Sequence, residues 1–294
     1  MLVPAISAAH PAPPATTADS AAGSAADSAA KSAAPLLDLT GRCAVLLHAH
    51  PDDEAIFTAA TMHRLARAGA RVVLVTATAG ELGPVLRPLR AGETLVARRR
   101  AELERACELL GVARLVLLGH RDSGMAGWGA HAHPDALAAA PAAAVARRLA
   151  DLCVAEAADA LVHYDPDGIY GHPDHVAVHR IGAAAAALAG VTSYEATVDR
   201  ARPRGPRRHL VDRAAGGEPV GWAAPETVVE AGAADLRAKR AAMAAHGSQV
   251  PPAAVRRPGF GAVYGREWYR RGTQPGLLDE VAIGTERIGG ALVG

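Results

Sequence analysis

Between Cys43 and Val198 the chain alternates short, unbroken apolar runs with longer stretches rich in alanine and charge. The runs are CAVLLHA (43–49), RVVLVTAT (71–78), RLVLLG (114–119), ALVHY (160–164) and SYEATV (193–198). Each has strand length and lacks the polar alternation of a half-solvated strand, so each is expected to be buried on both faces. The stretches between them predict helices over roughly 54–68 and 94–110, another from near Asp135, and one over about 174–189. Gly69 and Gly111 stand where the first two must end. Strands each followed by a helix specify an α/β, Rossmann-like, mostly parallel sheet with helices on both faces. Past residue 198 the pattern weakens. ETVVEA reads as a late strand and AADLRAKRAAMAAH as a helix, and the remaining C-terminal residues show little periodicity.

Composition changes this picture at the chain's start. The first 35 residues are dominated by alanine, serine and proline with no amphipathic period, and they lack the continuous apolar core of a secretory signal. Residues 1–40 are therefore expected to be a disordered tail ahead of a single domain over 41–285. A second biased stretch, 198–225, is rich in Arg, Pro and Gly and reads as a solvated loop. The formal charge of +1 gives no global field for nucleic acid or an anionic membrane. No apolar run approaches the ~20 residues of a membrane span. Three scattered cysteines without CxxC spacing suit a reducing cytoplasm. The expected partner is a small molecule, in a soluble cytoplasmic protein.

The chemistry is concentrated at two strand ends. HPDDE (50–54) follows the first apolar run and HPDH (172–175) follows the fourth. In the common strand order 3-2-1-4-5, strands one and four are neighbours whose helices leave to opposite faces, and ligands bind in the crevice between their loops. Imidazole with carboxylate suits zinc or ferrous iron in a site with three protein ligands and an open position for water. His50 and Asp53 face one point across a tight turn, and either His172 or His175 can supply the third ligand. Asp52 is then left beside the water as general base, and the second histidine is free to stabilise charge on a reacting carbonyl oxygen. Either motif alone is also a good helix N-terminus, with Pro near the first position and acids in the first turn. A further HPD at His133–Asp135 has no apolar strand before it and is assigned to capping. A dinucleotide site is set aside because the first strand leads into HPDDE rather than GxGxxG.

AHPDDE with a later GHPDH on a parallel α/β sheet resembles the PIG-L (LmbE-like) metal-dependent N-deacetylases. The resemblance covers roughly residues 41–270 and extends to RDSGMAG (121–127), YDPDGIYGHPDH (164–175) and AKRAAMAAHGSQV (238–250), which are similar to segments of the mycothiol-pathway deacetylases. It implies His50, Asp53 and His175 as zinc ligands and Asp52 as the base. It implies His172 as oxyanion stabiliser with Asp174 orienting its ring, and Tyr170 beside the substrate or oxyanion. It places Arg99, Arg121 and Asp122 against the sugar. The activity implied is removal of acetyl from an N-acetylglucosaminyl-type substrate by metal-activated water. The alternatives are an amidase acting on a mycothiol-type conjugate or an antibiotic intermediate, and a non-catalytic metal-binding protein.

Other residues have plainer readings. His179, four after His175, could form a rival ligand pair with it, but its helix carries it away from the strand end, and it reads as a packed or supporting histidine. His246 ends a late helix, where capping and a reach into the cleft are both open. His48 and His163 are expected in the core, Glu81 lies in a loop after the second strand, and the three cysteines are expected to be buried. In RRRAELER the pairs Arg98–Glu102 and Arg100–Glu104 have helical i,i+4 spacing.

Overall fold

The apolar runs become strands where the sequence places them. A computed structural model describes residues 37–201, 220–272 and 274–283. It contains β1 (Cys43–His48), β2 (Arg71–Thr78), β3 (Arg114–His120), β4 (Ala160–Tyr164) and β5 (Thr192–Thr197). These five pair in parallel in the order 3-2-1-4-5. Two more strands, β6 (Thr227–Glu230) and β7 (Arg266–Arg271), extend that edge antiparallel, giving β3-β2-β1-β4-β5-β7-β6. The sheet is therefore the expected mostly parallel α/β sheet, with an antiparallel margin that includes one strand the sequence did not signal. REWYRR carries four charges in six residues, so its apolar content is too low to mark β7 as a buried strand.

Helices α1 (Ala59–Arg67), α2 (Leu95–Leu110) and α6 (Ala233–Ala245) pack together, and α3 (Ala142–Ala155) packs on α5 (Pro173–Ala189). Short helices α4 (Gly168–Gly171), α7 (Pro252–Arg256), α8 (Phe260–Tyr264) and α9 (Leu277–Ile283) complete the described elements of this type. The small residues of α5 let it sit close to the sheet. A Cβ on Gly182 would lie 2.4 Å from Cγ of His163 on β4, a distance no side chain tolerates. Among the described residues no helix is long and apolar enough to cross a membrane.

The helix expected from near Asp135 begins instead at Ala142, after two 3-10 turns, and His133–Asp135 caps no helix. There the Asp135 N–H donates to His133 Nδ1 (3.1 Å) inside a local turn, while Arg121 and Ala136 form an isolated bridge. Of the two expected i,i+4 pairs only Arg100–Glu104 forms. Arg98 turns back to Glu93, and Glu102 is taken by Ser248. Residues 1–36, the bulk of the expected tail, lie outside the described residues, as do 202–219 of the Arg/Pro-rich segment. Leu39, within the stretch assigned to the tail, is 2% exposed, and its N–H donates to the Ala68 carbonyl.

The helix after β1 does not start as a regular α-helix. A π-helical turn, Glu54–Thr58, precedes α1 and breaks the usual bonding at the junction. The N–H groups of Ala60 and Thr61 donate to the carboxylate of Glu267 on β7 (both 2.8 Å), and Thr61 Oγ1 donates to it as well (2.7 Å). Lys239 of α6 donates to the same carboxylate at 2.6 Å, with both side chains 1% exposed. A buried carboxylate thus completes a helix start, and a buried ammonium balances its charge.

Candidate metal centre and active site

β1 and β4 are neighbours, and their C-terminal ends carry the two motifs. After His48 the chain turns sharply. The His50 N–H donates to Asp53 Oδ2 (2.8 Å), which closes the turn. Asp52 inside it has φ +125, a region that side-chain-bearing residues rarely adopt and that costs about 1–3 kcal/mol. From the other strand, α4 leads to His172, which caps α5 by accepting the Asp174 N–H at Nδ1 (3.1 Å). A Cβ on Gly168 would stand 2.7 Å from the Val176 nitrogen, so only glycine lets α4 lie against the first turn of α5.

His50, Asp53 and His175 meet. Asp53 Oδ2 lies 3.4 Å from His50 Nδ1 and 3.3 Å from His175 Nε2, and all three residues are buried. Bonds of 2.0–2.1 Å to a tetrahedral ion set neighbouring ligand atoms about 3.3–3.4 Å apart, so the donor set has both the chemistry and the spacing for zinc or a similar divalent ion. His50 also reaches Asp174 Oδ2 through Nε2 (3.1 Å). With a cation bound, that bond would hold the remaining imidazole proton on Nε2 and leave Nδ1 for the ion, the usual carboxylate support of a metal-binding histidine. His50, Asp122, His172 and Asp174 form a second close group. It shares His50 through the nitrogen already bonded to Asp174, so it is read as support for the first.

Charge in the cluster follows from burial and pairing. Burial opposes ionisation of Asp53, but His175 and His50 outweigh it and hold the carboxyl well below its ordinary range. Burial likewise opposes a charge on His50, yet its bonds to Asp174 and Asp53 raise it to about 10. Asp52 is pushed up to about 6 by burial, against the pull of Arg99. His172 is pushed down to about 3, first by burial and then by His50 and His175, so it is neutral at pH 7. Burial keeps the Tyr170 phenol far above its ordinary value, and its hydroxyl lies 3.4 Å from His175 Nε2.

These groups line one end of a cavity of about 470 Å³. His50, Asp52, Asp53, Tyr170 and His172 form its polar end, and Asp122 and Arg99 also reach it. Leu82, Pro84, Leu86, Met125, Trp128 and Pro251 form an apolar wall, with Trp128 49% exposed at the rim.

Three expected roles change. Asp174 does not hold the ring of His172: its Oδ2 is 4.0 Å from His172 Nδ1, and its oxygens accept from His50, the Ser123 N–H (3.0 Å) and the Ser123 hydroxyl. His172 is oriented by the Asp174 backbone instead. Arg121 does not line the cavity. Successive side chains alternate where residue 121 bridges to 136, so Asp122 points in while Arg121 is exposed near His133 (3.3 Å) and Glu81 (3.9 Å). Arg99 reaches the cavity but is 3% exposed and largely engaged, donating to the carbonyls of Gly80 and Pro51 (both 2.6 Å) and lying 3.3 Å from Asp52 Oδ1.

The plainer readings hold. His48 and His163 are buried, and burial pushes them down to about 4 and 3. His179 donates from Nδ1 to the Tyr164 carbonyl (3.0 Å) and the cysteines are buried. Sequence reasoning did not assign Ser123, the apolar wall, or the bond between His246 and Glu54, since none has a spacing that marks it.

The PIG-L family model, described as GlcNAc-PI de-N-acetylase, matches residues 45–186. A 1D-myo-inositol 2-acetamido-2-deoxy-alpha-D-glucopyranoside deacetylase of Kineococcus radiotolerans is 38% identical over 249 residues, covering 71% of this chain and 69% of its own. The protein of the same name from Thermobifida fusca is 37% identical over 248 residues, covering 74% and 87%. Among solved structures, N,N'-diacetylchitobiose deacetylase from Pyrococcus horikoshii superposes with a TM-score of 0.51 at 20% identity, covering 78% of this chain and 83% of that one. At that identity the likeness concerns the fold.

Proposed function

Because the chain belongs to the PIG-L family, we propose that it is a metal-dependent amide hydrolase that removes acetyl from an N-acetylglucosaminyl-inositol or a closely related N-acetylated amino-sugar. The observation that carries this reading is the meeting of His50, Asp53 and His175 around one carboxylate oxygen, with Asp52 beside them on the cavity wall. Zinc is the expected ion for two imidazoles and a carboxylate with an open position, and ferrous iron shares the donor set. When bound, the cation lowers the pKa of water and polarises the acetamide carbonyl.

The chain's own residues supply the rest. Asp52, as the carboxylate, takes the proton from the attacking water and returns it to the departing amine. His172 accepts the Asp174 N–H at Nδ1, so its proton is on Nε2, where it donates to the developing oxyanion. Since burial keeps His172 neutral, it donates without becoming a competing base. Tyr170 holds its phenolic proton and remains a donor at the same end. Asp122 offers a polar contact to the sugar, and the wall around Trp128 offers a flat apolar surface to the ring beyond the acetamide.

Metal analysis of the purified protein, with acetate release measured from the inositol glycoside, diacetylchitobiose and a mycothiol-type conjugate, tests this proposal. Asp52→Ala should retain metal and lose turnover, whereas Asp53→Ala should lose metal. Bound metal with no acetate from any compound would favour a non-catalytic binding protein, as would wild-type turnover in Asp52→Ala.

A further inference from the structure

The conformation of Asp52 is held from both sides. Its φ of +125 is set by the orientation of the Pro51–Asp52 peptide plane relative to its own Cα. Both polar atoms of that peptide are engaged by buried side chains. Arg99 donates to the Pro51 oxygen (2.6 Å), and the Asp52 N–H donates to Glu54 Oε2 (3.0 Å). Glu54 is wholly buried, and its other oxygen is held at 2.5 Å by His246 Nε2, also wholly buried. His246 is itself anchored. It follows the last residue of α6, its carbonyl accepts from Gln249 (3.0 Å) and Val250 (2.8 Å), and Ser248 is fixed by Glu102 of α2.

We propose that Glu54 and His246 are positioning residues for Asp52, forming a relay that locks the Pro51–Asp52 peptide so that the Asp52 carboxylate faces the cavity. Neither touches the cavity, and neither is among the residues that can hold the metal. Stability alone gives little reason for a buried imidazole–carboxylate pair here, since apolar side chains of similar volume would avoid the desolvation cost. The pair has a geometric use: it presents one acceptor to one N–H whose direction fixes an otherwise disfavoured backbone angle. The inference rests on the reading of Asp52 as the base.

The test compares His246→Gln, His246→Asn and Glu54→Leu with the wild-type protein, loaded with zinc. Gln places an amide nitrogen near the Nε2 position and can still donate to Glu54, whereas Asn is too short. His246→Asn and Glu54→Leu are expected to lose at least tenfold in kcat with KM and zinc content within twofold of wild type. His246→Gln should recover most of kcat. Equal losses in His246→Gln and His246→Asn, or kcat within twofold of wild type in His246→Asn, would overturn the proposal. Crystal structures of the same proteins give a readout that needs no substrate. Asp52 should leave the positive-φ region in His246→Asn and keep it in His246→Gln; an unchanged Asp52 in His246→Asn overturns the relay whatever the activity. Failure of wild type to release acetate would count against the deacetylase reading, and the crystal structures would still decide the relay.

Discussion

Asp174→Asn should weaken metal binding although Asp174 is not among the three proposed ligands. The native carboxylate accepts three hydrogen bonds, from His50 Nε2 on Oδ2 and from the N–H and hydroxyl of Ser123. An asparagine has a single acceptor oxygen. His50 Nε2 and the Ser123 N–H share Oδ2, so the amide oxygen takes that position and its NH₂ turns to the Ser123 hydroxyl. His50 then keeps a partner but a neutral one, which supports its basicity as a ligand less than a carboxylate does. Losing such a supporting carboxylate costs about 10–100-fold in metal affinity, or about 1.4–2.7 kcal/mol. Competition with a chromogenic chelator measures it directly, and circular dichroism confirms that the variant is folded. Ser123→Ala, which removes one of the three donors, should fall between the variant and wild type. A folded Asp174→Asn protein with wild-type zinc affinity would refute the role of the Asp174 charge in supporting His50.

Other outcomes follow from the same geometry. Trp128→Ala should lower kcat/KM about 3–10-fold for the inositol glycoside, corresponding to roughly 0.5–1.5 kcal/mol of ring contact, and leave N-acetylglucosamine alone nearly unaffected. Equal losses on both would place the indole away from the second ring. Gly182→Ala should cost about 1–3 kcal/mol in urea unfolding, because the new methyl meets the ring of His163; a cost near zero would mean α5 shifts freely. Asp279 is held below its ordinary value despite burial, by the Gly276 N–H, Tyr194, Thr227 and Arg271. A depressed folded pKa stabilises above the unfolded value of ~3.9 and the effect disappears as pH falls through the folded pKa. Asp279→Asn should therefore be less stable than wild type at pH 6, with the gap in urea midpoint closing below about pH 4. A gap that widens in acid would contradict this.

The five parallel strands and the meeting of His50, Asp53 and His175 were legible because both leave a signature in one dimension. A strand buried on both faces must be continuously apolar, and a site at the crevice must place its polar residues where such runs stop. REWYRR hides β7, because its charges are matched by partners far away in sequence: Glu267 by Lys239 and two helix N–H groups, Arg270 by Glu195. Arg121 and Asp122 show the same limit at the scale of one residue. Adjacent polar residues in a motif look equivalent until backbone alternation sends one into the cavity and the other to solvent. The role of Asp174 was misplaced for a related reason. The resemblance assigned it to the ring of His172, two residues before it, and only the pairing of β1 with β4 brings His50 closer.

The carboxylate of Glu267 carries a consequence for how the chain matures. The helix that follows the His50–Asp53 turn has two of its first N–H groups satisfied by a residue about 200 positions later. At synthesis rates of ~5–20 residues per second, those groups wait roughly 10–40 s for their acceptor to be made. The segment bearing His50 and Asp53 thus leaves the ribosome early and acquires its final footing late. On the proposed reading, loading of the ion should accordingly be a closing event in biogenesis, and a nascent chain stalled before residue 267 should capture zinc poorly although His50, Asp53 and His175 have already been translated.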